Sequence, residues 1–264
     1  SDFKFKKGLV SATKTSGHTL QIADGLWLDK KFKAAMMKSI AQSELDRKRF
    51  VYSDIGFILL QQVVEAVTGK TLDAYLVSEF YRPMGLEHTL FQPLNRYKKA
   101  DIMPTAANDY LRRQDLCGYV HDEAAAFMGG VSGNAGLFST AQELGKIYQM
   151  ILNEGELDGK RYLRPETCRI FTTEKSAVSH RGLGYDKPNL KDPKANACAS
   201  SAPASVYGHT GFTGTCAWVD PENDLVYIFL SNRLCPDAWN GKLNSMKIRQ
   251  AIQEVIYQSL YTPE

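Results

Sequence analysis

The sequence predicts an α+β fold, an antiparallel sheet flanked by helices and accompanied by a mostly helical part. Three observations carry this. Apolar residues recur at three- and four-residue steps from Ile55 to Val67 and again from Leu144 to Leu152. After about residue 180 the period falls to that of strands, and the last stretch is helical again. Helices first, then adjacent strands with a covering helix, is the order of an α+β domain rather than of alternating βα units. At 264 residues the chain has ample length for a real core. The expected division is a mostly helical part over 1–178 and an antiparallel sheet with its carboxy-terminal helix over 179–264, together one domain.

Taken in order, residues 1–50 are charged and weakly periodic, and predict at most short helices near 30–44. From Asp54, Ile55, Ile58, Leu59, Val63 and Val67 follow helical spacing until Gly69 stops them. Asp54 suits an N-cap, and Thr71 can cap a second helix from Leu72 to Tyr81, ended by Arg82-Pro83-Met84-Gly85. Residues 92–128 read as irregular with one or two short helices. Thr140-Ala141-Gln142-Glu143 is a capping box; Leu144, Ile147, Tyr148, Ile151 and Leu152 follow on one face, and Gly155 closes the helix. Pro165 fits the first turn of another. Val206 to Val219 and Leu225 to Leu230 are strand-rich, and the turn-forming Asp220–Asp224 makes them a hairpin. Ile248, Ile252, Val255 and Ile256 share one face of the last helix.

Composition excludes several classes. The net charge is +3, and basic residues come in short clusters (Lys4/Lys6/Lys7, Arg47/Lys48/Arg49, Lys98/Lys99) without a stripe interleaved with aromatics, so no nucleic-acid partner is expected. No apolar run reaches membrane-spanning length. Five separated cysteines without a C-x-x-C argue against a disulfide framework or a zinc site, although one bridge stays open. Val120-His121-Asp122-Glu123 lacks a second cluster at ligand spacing, and reads as structural hydrogen bonding to Gly129–Gly136. No cofactor is expected.

Two motifs carry chemistry. Gly208-His209-Thr210-Gly211-Phe212-Thr213-Gly214-Thr215 puts three glycines within seven residues of a strand, which weakens pairing unless a ligand or another backbone approaches closely. A glycine-rich bulged hairpin explains the same residues equally well. Tyr52-Ser53-Asp54 stands just before an amphipathic helix. With the segments Val67-Thr68-Gly69-Lys70, Tyr81-Arg82-Pro83-Met84-Gly85-Leu86-Glu87-His88-Thr89 and Gly136-Leu137-Phe138-Ser139-Thr140, the chain from about residue 45 resembles the class C β-lactamase and penicillin-binding-protein family of serine hydrolases. Tyr52–Asp54 stands at its Tyr-x-Asn motif and His209-Thr210-Gly211 at its Lys-Thr-Gly or His-Thr-Gly motif.

The resemblance implies a serine acyl-enzyme and a β-lactamase/transpeptidase-like fold. Tyr52, Asp54 and His209 would be the catalytic residues, with Tyr52 shuttling the proton, while Thr210, Gly211 and Phe212 would hold substrate, the Phe212 N–H as half of an oxyanion hole. Asp54 in place of asparagine adds a negative charge, and His209 in place of lysine gives a weaker, pH-dependent cation. With both departures, esterase, peptidase or amidase chemistry, or a transpeptidase-like role, fits at least as well as β-lactam hydrolysis. The family's first motif, Ser-x-x-Lys, is matched at Ser11-Ala12-Thr13-Lys14, in turn-like surroundings and 41 residues before Tyr52. Ser11 is expected to be a decoy and the nucleophile helix to precede Ser1, leaving this chain without an acylatable serine. Similar domains follow β-N-acetylglucosaminidase-type glycoside hydrolases. This implies a periplasmic or cell-envelope setting, a small-molecule or peptidoglycan-derived substrate and covalent fusion to a glycosidase. The competing reading is a non-catalytic binding module for such ligands.

Overall fold

The computed structural model describes residues 4–44 and 50–261, so the cluster Arg47/Lys48/Arg49 lies outside the described residues. The expected α+β class is observed. The chain forms two compact units, Ser1–Ser139 with Leu234–Ala238, and Thr140–Arg233 with Trp239–Glu264.

The first unit opens with three antiparallel strands where short helices at most were expected: β1 (Val10–Ser11), β2 (His18–Ala23) and β3 (Leu26–Asp29), in the order β1-β3-β2. The pairing of β2 with β3 slips twice, between His18 and Leu20 and between Gln21 and Ala23. Each irregularity resets the inside–outside alternation that marks a strand in sequence. Ile22 and Leu28 nevertheless reach the core, packing with Val120, Ala125 and Ala126. Helix α1 (Phe32–Ala41) lies where the sequence places it, and Phe32 meets Phe127 edge-on at 4.9 Å.

Helix α2 (Ile55–Thr68) ends at Gly69, whose φ of +67° lies in the left-handed region. Asp54 occupies the N-cap position but does not cap with its side chain; Ser53 Oγ accepts the Ile55 N–H at 3.3 Å. Only Ile58 and Gln61 of this helix are buried, so most of the apolar stripe faces outward. Helix α3 (Leu72–Leu76) continues as a π turn over Val77–Tyr81. Thr71 is extended and makes no cap; Glu65 Oε1 takes the Leu72 N–H at 3.2 Å instead.

Within the stretch read as irregular, β4 (Pro104–Asp109) and β5 (Gln114–Cys117) pair, again with two register shifts. Their turn holds a fully buried ion pair, Arg112 Nε to Asp109 Oδ1 at 2.9 Å, and Arg112 Nη2 also donates to the His121 carbonyl at 2.6 Å. Helix α4 (Glu123–Phe127) is capped by Asp122 Oδ1, which accepts from Ala125 N at 2.7 Å and from Asn134 Nδ2 at 3.1 Å. The polar Val120–Glu123 segment thus does the structural bonding expected of it.

The second unit starts with α5 (Ala141–Leu152), capped by Thr140 Oγ1 on the Glu143 N–H at 3.3 Å. The short pair β6 (Glu156–Leu157) and β7 (Lys160–Arg161) follows, then α6 (Pro165–Thr173). The antiparallel sheet has the order β10-β9-β8, from β8 (Tyr207–Thr210), β9 (Cys216–Asp220) and β10 (Leu225–Phe229). The run Val206–Val219 is therefore two strands and a turn, not one. Helices α7 (Lys242–Ser245) and α8 (Ile248–Tyr261) close the chain.

The core of this unit gathers Val206, Cys216, Trp218, Tyr227 and Tyr257 with Cys198, and Ile256 packs against it. α8 is turned from its expected face: Gln253 and Tyr257 point in, while Ile252 and Val255 are exposed. Polar partners set that rotation, Gln253 Oε1 accepting from Ala199 N at 2.9 Å and Tyr257 Oη donating to Asp220 Oδ2 at 2.8 Å. A buried polar atom with a fixed partner outweighs the choice between two apolar faces. All five cysteines are free thiols, which answers the open question of a bridge.

Candidate active site

In the second unit, β8 and β9 run antiparallel with His209 opposite Ala217 and Gly208 opposite Trp218. Gly208 has to be glycine: a Cβ there would stand 2.1 Å from the Ala217 carbonyl oxygen and 2.7 Å from the Trp218 ring. A Cβ on Gly211 would likewise meet Thr215 Oγ1 at 2.1 Å, and Gly214 has a φ of +116°. The glycines therefore permit a tight, close-packed turn over 211–215. The β8–β9 register is continuous, and the close approach these glycines allow is that of the facing strand and of Thr215.

Two arginines hold the carbonyls of that turn. Arg249 Nη1 donates to Thr215 O at 2.8 Å and to Gly211 O at 3.4 Å; Arg233 Nε donates to Phe212 O at 2.6 Å. The Arg233 guanidinium also lies 4.2 Å from the centre of the Phe212 ring, which is largely exposed. Fixed carbonyls fix the peptide planes and hence the directions of the N–H groups between them, the preorganisation an oxyanion site needs.

His209 is partly exposed, and both its ring nitrogens are engaged. Nδ1 lies 2.6 Å from the Thr210 carbonyl, and Nε2 lies 3.1 Å from Arg181 Nη1. A carbonyl only accepts and a guanidinium only donates. So Nδ1 carries the proton, Nε2 accepts, and the imidazole is neutral in this arrangement. Arg181 is thus a third guanidinium beside the His-Thr-Gly turn, with Arg233 and Arg249, and the sequence reading missed all three.

Beneath them sits Asp186, buried, with Oδ1 3.1 Å from Arg181 Nη2 and 3.7 Å from His180 Nε2, and Oδ2 4.0 Å from His209 Nε2. Its backbone bridges to Gly208 in both directions, at 2.7 Å and 3.1 Å. That isolated bridge brings the 180–186 segment against β8. No local motif announces it, because His180-Arg181 sits among serines and glycines without periodicity.

In the first unit, Tyr52 is exposed in the irregular segment before α2, and Asp54 stands at the start of that helix. The structure thus groups His209, Thr210, Gly211 and Phe212 with Arg181 and Asp186 in one unit, and Tyr52 with Asp54 in the other.

Ser11 and Lys14 do not form a nucleophile pair of the helical kind. Ser11 is a strand residue opposite Trp27, its Oγ accepting from Thr13 N at 3.3 Å, and Lys14 Nζ stacks over the Trp27 ring at 5.6 Å. One helical turn is what places residues i and i+3 side by side, and there is none here. Among the described residues no group of His, Cys, Asp and Glu could hold a metal ion.

Helices beside an antiparallel sheet, with a His-Thr-Gly turn on one strand and a tyrosine ahead of a helix, define the penicillin-recognising serine hydrolase class. The family described as Beta-lactamase matches residues 12–244, and the chain belongs to that family. It is 38% identical over 197 residues to an Escherichia coli K12 protein named "Putative D-alanyl-D-alanine carboxypeptidase", a match covering 70% of this chain and 45% of that protein. A namesake from Salmonella gallinarum is 32% identical over 227 residues, covering 80% of this chain and 52% of the relative. The chain thus spans about half the length of the curated relatives it matches. Among solved structures, the octameric penicillin-binding protein homologue from Pyrococcus abyssi aligns with a TM-score of 0.55 at 18% identity, covering 88% of this chain and 52% of the other. That likeness shows the fold.

Proposed function

We propose that these residues are the substrate-holding part of a serine acyl-transferase, whose nucleophile is supplied from outside residues 1–264. Its substrate is a peptide ending in a free D-alanine carboxylate, in keeping with the name of the curated relatives. The observation that carries this reading is Arg181 at 3.1 Å from His209 Nε2, a permanent cation beside the Thr210-Gly211 turn. A guanidinium offers a carboxylate two parallel donors and keeps its charge at any physiological pH. Asp186 orients the guanidinium and, through it, fixes the neutral tautomer of His209.

The chemistry runs in two halves. The serine oxygen attacks the peptide carbonyl, its proton leaving with the departing amine, and water then hydrolyses the ester. The Phe212 N–H stabilises the oxyanion in both halves. Peptide chemistry of this kind belongs in the cell envelope, where fusion to a glycoside hydrolase would pair glycan and peptide cleavage. Among the described residues no helix is long and apolar enough to cross a membrane.

The test is steady-state kinetics of D-alanine release by the full-length gene product. Arg181→Gln should raise KM about 10- to 100-fold, the worth of a charge-assisted hydrogen bond, with kcat changed far less. An unchanged KM in Arg181→Gln would sink this assignment. A full-length product that binds such peptides and never turns them over would establish the binding-module reading instead.

A further inference from the structure

Lys187 is a lysine in a place where apolar packing would serve. It is 7% exposed, and its ammonium donates to the Thr172 carbonyl at 2.6 Å and to the Ser205 carbonyl at 3.3 Å. It also lies 5.9 Å from the centre of the buried Tyr207 ring. Among the described residues it has no carboxylate partner. Two neutral carbonyls and an aromatic face offset only part of the cost of burying an ammonium. Burial accordingly holds its pKa below the ordinary 10.5, and Lys175 adds to the effect. A methionine of the same length would fill the space without that cost.

The ammonium joins three places around the site. Thr172 lies in the last turn of α6, where open carbonyls and the negative end of the helix dipole favour a cation. Lys187 follows 15 residues later, at the far end of the loop that carries Arg181 and Asp186. Ser205 leads into β8, the strand of His209. The bond to Thr172 therefore closes the loop at its base, and the bond to Ser205 sets that base against β8. Between its ends the loop is largely exposed, Val178 at 79%. The lysine stem also supports it from beneath: a Cβ on Gly182, the residue after Arg181, would stand 3.6 Å from Lys187 Cδ. On the other side of the same backbone, Asp186 makes both bonds to Gly208 and holds Arg181 Nη2 at 3.1 Å.

We propose that Lys187 is a positioning residue of the site: its ammonium closes the base of the 174–186 loop and so sets where the Arg181 guanidinium stands beside Thr210-Gly211. Lys187 itself touches no substrate. The inference rests on the reading of Arg181 as the cation that receives the substrate carboxylate. Arg181 already divides its nitrogens between Asp186 Oδ1 and His209 Nε2, so what it presents to a ligand depends on where the loop holds it. A guanidinium recognises a carboxylate through two parallel donors, and a small displacement of its backbone spoils that fit before it spoils the fold. An apolar side chain at 187 would pack, but only a cation also binds carbonyls from both α6 and the start of β8.

The test measures KM and kcat of the full-length gene product on a peptide ending in D-alanine and on the same peptide ending in D-alanine amide. For a product that only binds, Kd takes the place of KM. Lys187→Met keeps the stem and removes the ammonium. Its KM for the carboxylate peptide should rise about tenfold, with kcat and the KM for the amide peptide within about twofold of the parent. Lys187→Gln, an amide donor on a shorter stem, should show the same pattern at about threefold, and carries the test should Lys187→Met not fold. On top of Arg181→Gln, either change at Lys187 should add nothing, because no guanidinium is left to place. Effects that multiply in the double variant would overturn the inference. So would equal losses on the two peptides, the mark of a lysine that serves the fold alone. An effective Arg181→Gln beside silent changes at Lys187 removes Lys187 and leaves the carboxylate reading intact. A silent Arg181→Gln removes that reading and the inference with it.

Discussion

The imidazole of His209 is held between a carbonyl and a guanidinium, and that fixes its charge more firmly than its residue type does. From the sequence a histidine in place of lysine reads as a weakened cation; the hydrogen-bond polarity makes it a neutral spacer and moves the cation to Arg181. A similar one-atom argument applies at Gly208. Gly208→Ala would drive a methyl into the Ala217 carbonyl and Trp218, so β8 and β9 would have to part. A stability loss of about 2–3 kcal/mol is expected in urea unfolding. An unchanged midpoint would mean the strands yield without cost.

Burial governs another residue, Cys198, whose thiol is pushed up to about 12. Its folded value lies above the ordinary 9.0, so the unfolded chain loses the proton first. The stabilisation it contributes is full below pH 9 and is lost as pH rises from there towards 12. Between pH 8 and 10.5 this amounts to on the order of 2 kcal/mol. The thermal midpoint should fall over that interval, and fall less in Cys198→Ala. Parallel falls in the two proteins would assign the alkaline sensitivity elsewhere, the buried tyrosines first.

At the scale of elements, what could be read beforehand depended on whether structure was local. α2, α3, α5 and α6 were legible because spacing, Gly69, the Thr140 cap and Pro165 are written within a few residues of where they act. The strands β2 to β5 were not, because each pairing slips twice and the alternation is lost. The inward side of α8 was also misread. Gln253 and Tyr257 are held by Ala199 and Asp220, partners far off in sequence. The site divides in the same way. Tyr52 and the His209-Thr210-Gly211-Phe212 turn could be found as motifs, whereas Arg181 and Asp186 arrive through a single backbone bridge to Gly208.

For the whole molecule, the balance of surfaces agrees with the balance of motifs. The second unit has a closed core around Trp218 and Tyr257 and a turn secured by Arg233 and Arg249. In the first unit Ser11-Ala12-Thr13-Lys14 is strand and turn, while α2 offers an apolar face that these residues leave exposed.

The most direct measurement is the site of acylation. The full-length gene product and residues 1–264 are each treated with a fluorophosphonate, digested, and the modified serine located by mass spectrometry. The account predicts one adduct in the full-length product, on a serine outside residues 1–264 that is followed three residues later by lysine, and no adduct on residues 1–264 alone. An adduct on Ser11, in either protein, would contradict it.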